Sequence, residues 1–130
     1  MTDVVTYEMS LSVAGGPTIT ADDHFNTEGY EKIEATIPEG SAPTTVNVQP
    51  SALTELQAIL ITAERYEDLT FTVDEEVTTK TLDGPLMLIG PGNIGMLGAT
   101  VNDLIFTNAD SEDENMVTIL VARTAIEPGA

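Results

Sequence analysis

Six residues suggest a cofactor. Gly90-Pro91-Gly92-Asn93-Ile94-Gly95 fits G-x-G-x-x-G and directly follows the apolar run Leu86-Met87-Leu88-Ile89. That is the order of strand and glycine-rich turn that opens a dinucleotide site. The chemistry would be pyrophosphate binding, and it needs a helix after the turn to aim its first amides at the phosphates. Met96-Leu97-Gly98-Ala99-Thr100-Val101-Asn102-Asp103 is a poor one. Gly98 is worse than alanine by about 1 kcal/mol in a helix, and β-branched Thr100 and Val101 precede an Asn-Asp pair. Only 40 residues follow Gly90, too few for the remaining strands and crossovers of a doubly wound domain. Asp110 stands where a ribose-binding acid would, but among 22 acidic residues its position carries little weight. The six residues therefore predict a tight, irregular connection between two buried strands, with glycines serving positive φ or close backbone approach.

The other candidate chemistry is acidic. His24, the single histidine, follows Asp22-Asp23, but no second histidine exists to complete a transition-metal site. A polar loop between the first two strands is favoured there. Asp110-Ser111-Glu112-Asp113-Glu114-Asn115 is the densest acidic run, and Asp110, Glu112 and Glu114 offer hard oxygens at alternate positions for a cation. An EF-hand loop needs glycine at its sixth position and glutamate at its twelfth, where this chain has Asn115 and Val121. A solvated hairpin loop is favoured over a Ca²⁺ site, and Asp74-Glu75-Glu76 reads the same way. No serine lies in G-x-S-x-G, and a Ser-His-acid arrangement would have to use His24. Carboxylate pairs for glycoside hydrolysis stay open by spacing, although the chain has no tryptophan, three tyrosines and three phenylalanines as platforms for sugars. No catalytic residue and no cofactor is assigned.

The elements that must position these residues follow from size and pattern. The 130 residues fit one domain, 1–130, with 1–6 and 124–130 as arms. At this length folding buries roughly two thirds of the unfolded chain's surface, and a hydrophobic content of 42% can fill the core. Against 22 acids stand four cations, Lys32, Arg65, Lys80 and Arg123, for a formal net charge of -18. Nucleic acid and anionic membranes are excluded as partners, because four dispersed cations cannot neutralise a track of phosphates. So acidic an exterior suits a salt-rich, halophilic or marine setting, where screening relieves self-repulsion. Cysteine is absent, which removes disulfides, thiolate zinc sites and cysteine nucleophiles. The first residues lack a basic segment followed by a long apolar one, so synthesis and assembly in the cytosol are expected.

Period-two alternation recurs along the chain. Tyr7 to Val13 predicts a strand stopped by Gly15-Gly16-Pro17, and Tyr30 to Ile37 a second stopped by Pro38-Glu39-Gly40. Val46 and Val48 mark a third. Ser51 to Leu56 predicts one helical turn, capped by Ser51, that leads into a strand across Ala58 to Ala63. Leu69 to Val73, Val77 to Leu82, Leu86 to Ile89 and a strand holding Leu104 and Phe106 follow. The closing strand, Val117 to Ala122, reads as buried on both faces. The sum is an all-β fold: an antiparallel β-sandwich, jelly-roll-like, with eight or nine short strands and at most one short helical turn.

Size and texture resemble the small β-sandwich decoration and minor structural proteins of tailed viruses. The resemblance lies in the opening strand Tyr7-Glu8-Met9-Ser10-Leu11-Ser12, the threonine-rich strands, the turn region Leu82-Asp83-Gly84-Pro85 to Gly90-Pro91-Gly92, and the closing Val117-Thr118-Ile119-Leu120-Val121-Ala122-Arg123. It implies a non-enzymatic virion protein that docks on the lattice of the major capsid protein or on another virion protein, commonly as a homotrimer. Assembly would occur in the host cytoplasm. The alternative is a receptor- or carbohydrate-binding module of a virion tail or cell-surface assembly, which would gather Tyr7, Phe25, Tyr30 or Tyr66 into one exposed patch.

Overall fold

The structure is a computed structural model that describes residues 3–40, 42–48, 54–74, 79–97 and 101–125. Its strands are β1 (Asp3–Ser12), β2 (Thr18–Thr27), β3 (Gly29–Ile37), β4 (Thr44–Asn47), β5 (Thr54–Ala63), β6 (Leu69–Val73), β7 (Lys80–Thr81), β8 (Leu86–Ile89), β9 (Asp103–Asn108) and β10 (Asn115–Ala125), with one helical turn, α1 (Pro91–Ile94), between β8 and β9. β1 and β2 form a ribbon by themselves; the other eight strands form two four-stranded sheets, ordered β3-β10-β5-β8 and β4-β9-β6-β7. Every pairing is antiparallel. Successive strands from β3 onward cross from one sheet to the other, except β6 and β7, which pair within one.

Alternation decides which side chains meet between the sheets. Ile33, Ala35 and Ile37 of β3, Val117, Ile119 and Val121 of β10, Ile59 and Ile61 of β5 and Leu86 and Leu88 of β8 pack toward Val46, Leu104, Phe106, Leu69, Phe71 and Val73 of the facing sheet. Phe71 and Phe106 sit opposite each other in the β6–β9 pair, their ring centroids 5.7 Å apart at 36°. β5 breaks its own period. Arg123 pairs with Leu56 and Ala122 with Ala58, so Gln57 is an extra residue in the strand. This bulge turns Leu56 inward with Ile59 and Ile61, where strict alternation would leave it outside. The Gln57 carbonyl accepts from the Gly90 amide at 2.7 Å, and its Nε2 donates to the Asn26 carbonyl at 3.1 Å.

The all-β antiparallel sandwich agrees with the alternation in the sequence; the described residues form ten strands. Four expectations are corrected. The segment containing Asp22-Asp23-His24 is strand β2, because Ile19, Ala21 and Phe25 alternate with its polar residues and complete the hairpin begun by β1. Thr54 to Gln57 is strand, not helical turn, since pairing with β10 continues to Thr54 through the bulge; Ser51 to Leu53 lie outside the described residues. The helical turn falls instead at Pro91–Ile94. Residues 3–6 belong to β1 and 124–125 to β10; 1–2 and 126–130 lie outside the described residues, as do Glu75 to Thr78.

No carboxylate is buried among the described residues, where the buried polar side chains are Thr27, Asn108 and Asn115. The charge of -18 therefore acts as mutual repulsion across the surface. The thermal midpoint should climb by several degrees between low and molar salt, as screening shortens to about 3 Å; a scan of melting temperature against NaCl and against neutral sucrose separates screening from general exclusion.

Candidate docking surface

β1 and β2 pair along their full length from Asp3↔Thr27 to Ser12↔Thr18, so each residue shares a face with its opposite. One face of the ribbon carries Val5, Tyr7, Met9 and Leu11 of β1 with Ile19, Ala21, Asp23 and Phe25 of β2, so that only Asp23, opposite Tyr7, interrupts its apolar character. The other carries Thr6, Glu8, Ser10 and Ser12 with Thr18, Thr20, Asp22 and His24. The ribbon is amphipathic, although a two-stranded hairpin alone is marginal in water. Near its root the apolar face is half-covered: Val5, Tyr7 and Phe25 are partly buried, and the rings of Tyr7 and Phe25 lie 6.4 Å apart. Beyond that the cover ends. Leu11 is 77% exposed and Ile19 72%.

The root is tied to the sandwich. Thr27 is buried, with Oγ1 2.7 Å from the Arg123 carbonyl and 3.0 Å from the Gly29 carbonyl, one proton serving both. The Glu28 amide also donates to the Arg123 carbonyl, at 3.1 Å. Arg123 Nη2 donates to Glu31 Oε2 at 2.6 Å.

Beside the root, residues Asp3–Glu8 and the outer face of the β3-β10-β5-β8 sheet enclose a groove of about 560 Å³. Its floor follows from register. Tyr30, Ala122, Ala58 and Ile89 form one row across the four strands, and Leu120, Leu60 and Met87 continue the next from Lys32. The expectation that β10 is buried on both faces is thereby corrected: Leu120 and Met116 on its outer face are each 39% exposed.

The glycine-rich loop contributes to this end by shape. Gly90 has φ 93° and ψ 146°, a region nearly reserved for glycine, and its amide is held by Gln57. α1 is a single turn whose Ile94 is buried, and Asn93 Nδ2 donates back to the Ile89 carbonyl at 2.8 Å. A turn this short offers no phosphate cradle. Since a Cβ at Gly90 would meet open space, Gly90→Ala should lose about 1–3 kcal/mol through backbone strain alone. Urea unfolding of that variant beside Gly92→Ala, whose φ is not positive, measures the difference.

Of the acidic candidates, the Asp110 carboxylate closes its own loop, while Glu112 and Glu114 take part through their backbone. Asp110 Oδ1 accepts from the amides of Glu112 and Asp113 at 2.8 and 3.2 Å, closing the loop on itself. Arg65 reaches over it, with Nη2 donating to the carbonyls of Glu114 and Asp113 at 2.8 and 3.3 Å and Nη1 3.8 Å from Asp113 Oδ2. Buried Asn108 donates to the Asp113 carbonyl at 2.9 Å, and buried Asn115 donates to the Arg65 carbonyl at 2.7 Å. Asp110, Glu112 and Glu114 are not brought together around a common point, and no group of three or more potential metal ligands occurs among the described residues. His24 and Asp23 are both exposed, their side chains 3.7 Å apart on neighbouring positions of β2. Asp74 clamps a second turn: with φ 54°, its Oδ1 accepts from the amides of Asn102 and Asp103 at 2.9 and 2.8 Å.

The Glu112 and Asp113 amides hold the Asp110 carboxyl below its ordinary range, with a smaller push from Arg65. A folded-state value below the unfolded one stabilises fully above the unfolded value, near pH 4. That contribution disappears as pH falls through the folded value. Asp110→Ala should therefore trail the wild type at pH 7, and by less as pH falls below about 4, as read by urea midpoints against pH.

Of the aromatic residues that a binding patch would gather, Tyr7 and Tyr30 both line the groove and Phe25 stacks beside Tyr7. Tyr66 packs against the core elsewhere, its hydroxyl accepting from the Ala63 amide at 3.3 Å. The ribbon was the feature the sequence reading missed. Its trace was the uncharged run Met9 to Ala21, thirteen residues in a chain where 20% are charged. Among the described residues no helix is long and apolar enough to cross a membrane. Comparison with protein-family models, with curated proteins and with solved structures returns no match to this chain.

Proposed function

We propose that this chain is a non-enzymatic structural protein of a virion, which docks on the lattice of the major capsid protein or on another virion protein and strengthens it. The observation that carries this reading is the amphipathic ribbon with its apolar face exposed beside an apolar groove, both at one end of a well-packed sandwich. Contiguous exposed apolar surface marks interaction sites. The carboxylates of Asp110 and Asp74 are engaged in closing turns. The crossing of successive strands between two four-stranded sheets supports the jelly-roll topology that the resemblance implies. An exterior of net charge -18 supports a particle exposed to salt.

The test is co-sedimentation of the full chain with empty capsid shells and with tail assemblies. Binding that saturates at a fixed ratio to the lattice, with a higher melting temperature of the shell, is the expected result. A chain left in the supernatant by every shell and tail preparation would end the proposal. The position of Tyr7 and Tyr30 on the groove favours a second reading, a receptor- or carbohydrate-binding module. Retention on a glycan surface that Tyr30→Ala abolishes would decide for it.

A further inference from the structure

The ribbon and the groove fit each other across two molecules. We propose that the distal apolar face of the hairpin, Met9, Leu11 and Ile19, seats in the groove of a second copy of this chain. The inference rests on the assembly reading above and names one partner for it.

Within one molecule the ribbon cannot fill the groove with its distal half. Asp3–Glu8 already form one wall, while Met9 to Ile19 take no part in lining it. What remains is an apolar floor, Leu120, Leu60, Met87 and Ile89, and an apolar ribbon end with nothing against it.

Charge selects the partner. In a chain of net charge -18, two copies meet at least cost where few carboxylates face the contact, and those of this groove, Asp3 and Glu8, stand on its wall and not on its floor. The ribbon end from Met9 to Ala21 contains no charged residue. The floor comes from three more uncharged runs, Leu56 to Ala63, Gly84 to Asn102 and Asn115 to Ala122. An uncharged apolar ribbon end and an uncharged apolar groove floor thus occur in an otherwise acidic molecule.

Area gives the scale. Four exposed aliphatic side chains at the ribbon end, Met9, Leu11, Val13 and Ile19, present on the order of 300–400 Å². With the floor they cover, one contact buries roughly 800 Å², at the boundary between a lattice contact and a weak interface. Each copy owns one ribbon and one groove, so a reciprocal pair joins two contacts in one interface and reaches the standard size, while a closed ring gives every molecule two separate contacts. Closed assembly is the arrangement that satisfies every ribbon.

The experiment uses the full chain in analytical ultracentrifugation and native mass spectrometry, at salt from about 0.1 M to 2 M because repulsion between copies is long-ranged. A closed oligomer is expected, with affinity rising about tenfold or more across that range. Leu11→Asp with Ile19→Asp on the ribbon, and separately Leu120→Glu in the groove, should each give monomers at every salt while circular dichroism stays that of the wild type. Mixing the two variants supplies one intact ribbon and one intact groove, so a one-to-one heterodimer should appear. A monomeric wild type at all salt concentrations overturns the proposal, as does an oligomer that survives the ribbon variant. If the chain is monomeric yet co-sediments with shells, the exchange between copies falls and the structural reading stands. If it exchanges ribbons but binds no shell or tail, the reverse holds.

Discussion

Replacing Phe106 with alanine should remove about 3–5 kcal/mol of stability, the largest loss of any single truncation in this fold. Phe106 is fully buried on β9, a strand paired on both sides, and its ring faces Phe71 across the β6–β9 ladder. Alanine removes the ring and leaves a cavity that cannot collapse fully, because Ile59, Ile61, Val117, Ile119 and Val121 of the same core are β-branched and stiff at χ1. A domain of this kind holds about 5–15 kcal/mol in total, so the variant would sit near the edge of folding and its midpoint would fall by roughly 10–20 °C. Ile33→Ala is the comparison, since Ile33 lies on edge strand β3 and is only partly buried. It should lose less than half as much. Urea titrations with unchanged m-values would attribute both losses to the native core.

That core was legible because sandwich strands carry their burial in period two. Leu69, Phe71 and Val73, Val117, Ile119 and Val121, and Ile33, Ala35 and Ile37 alternate along the chain and face the core in space. β5 shows where the rule stops. Leu56 and Ile59 are three apart, which mimics a helical face, and the inserted Gln57 is what places both inside one sheet. A bulge is set by pairing with β10 and by the Gly90 amide, partners far away in sequence, so local periodicity could not show it. β2 failed differently. Asp22-Asp23-His24 is polar enough to read as loop, but Asp22 and His24 occupy the ribbon's polar face, and Asp23, opposite Tyr7 on the other, is itself exposed.

The docking surface was half legible. The chain's uncharged runs are visible in the sequence, yet neither the exposure of Leu11 and Ile19 nor the row of Tyr30, Ala122, Ala58 and Ile89 follows without strand order. The glycine motif was legible as a tight connection because the residues after it are poor helix formers, although the single helical turn α1 at Pro91–Ile94 was not foreseen. The acidic loop was the opposite case. Its residues suggested a cation, whereas its geometry is held by Arg65, Asn108 and Asn115, whose relevance depends on β5, β9 and β10 ending side by side.

Asn115→Leu should cost about 2–4 kcal/mol, nearly as much as a core truncation, though it keeps the side chain's volume. Asn115 is fully buried at the start of β10, its Nδ2 donating to the Arg65 carbonyl at 2.7 Å and its Oδ1 accepting from the Arg65 amide at 3.3 Å. Leucine leaves both backbone groups of Arg65 unpaired where the side chain excludes water, and each carries a desolvation penalty of about 1–3 kcal/mol. The backbone of Arg65 would then shift, and with it the guanidinium that holds the Glu114 carbonyl at 2.8 Å. Loss of this hold should couple the two positions: Arg65→Ala made in the Asn115→Leu background should cost less than in the wild type, by about 0.5–1.5 kcal/mol. Because asparagine does not titrate, the Asn115→Leu deficit should stay constant from pH 7 to pH 3. The Asp110→Ala deficit should shrink once pH falls below about 4. Urea unfolding of both variants across pH therefore separates the neutral clamp from the charged one that closes the same loop.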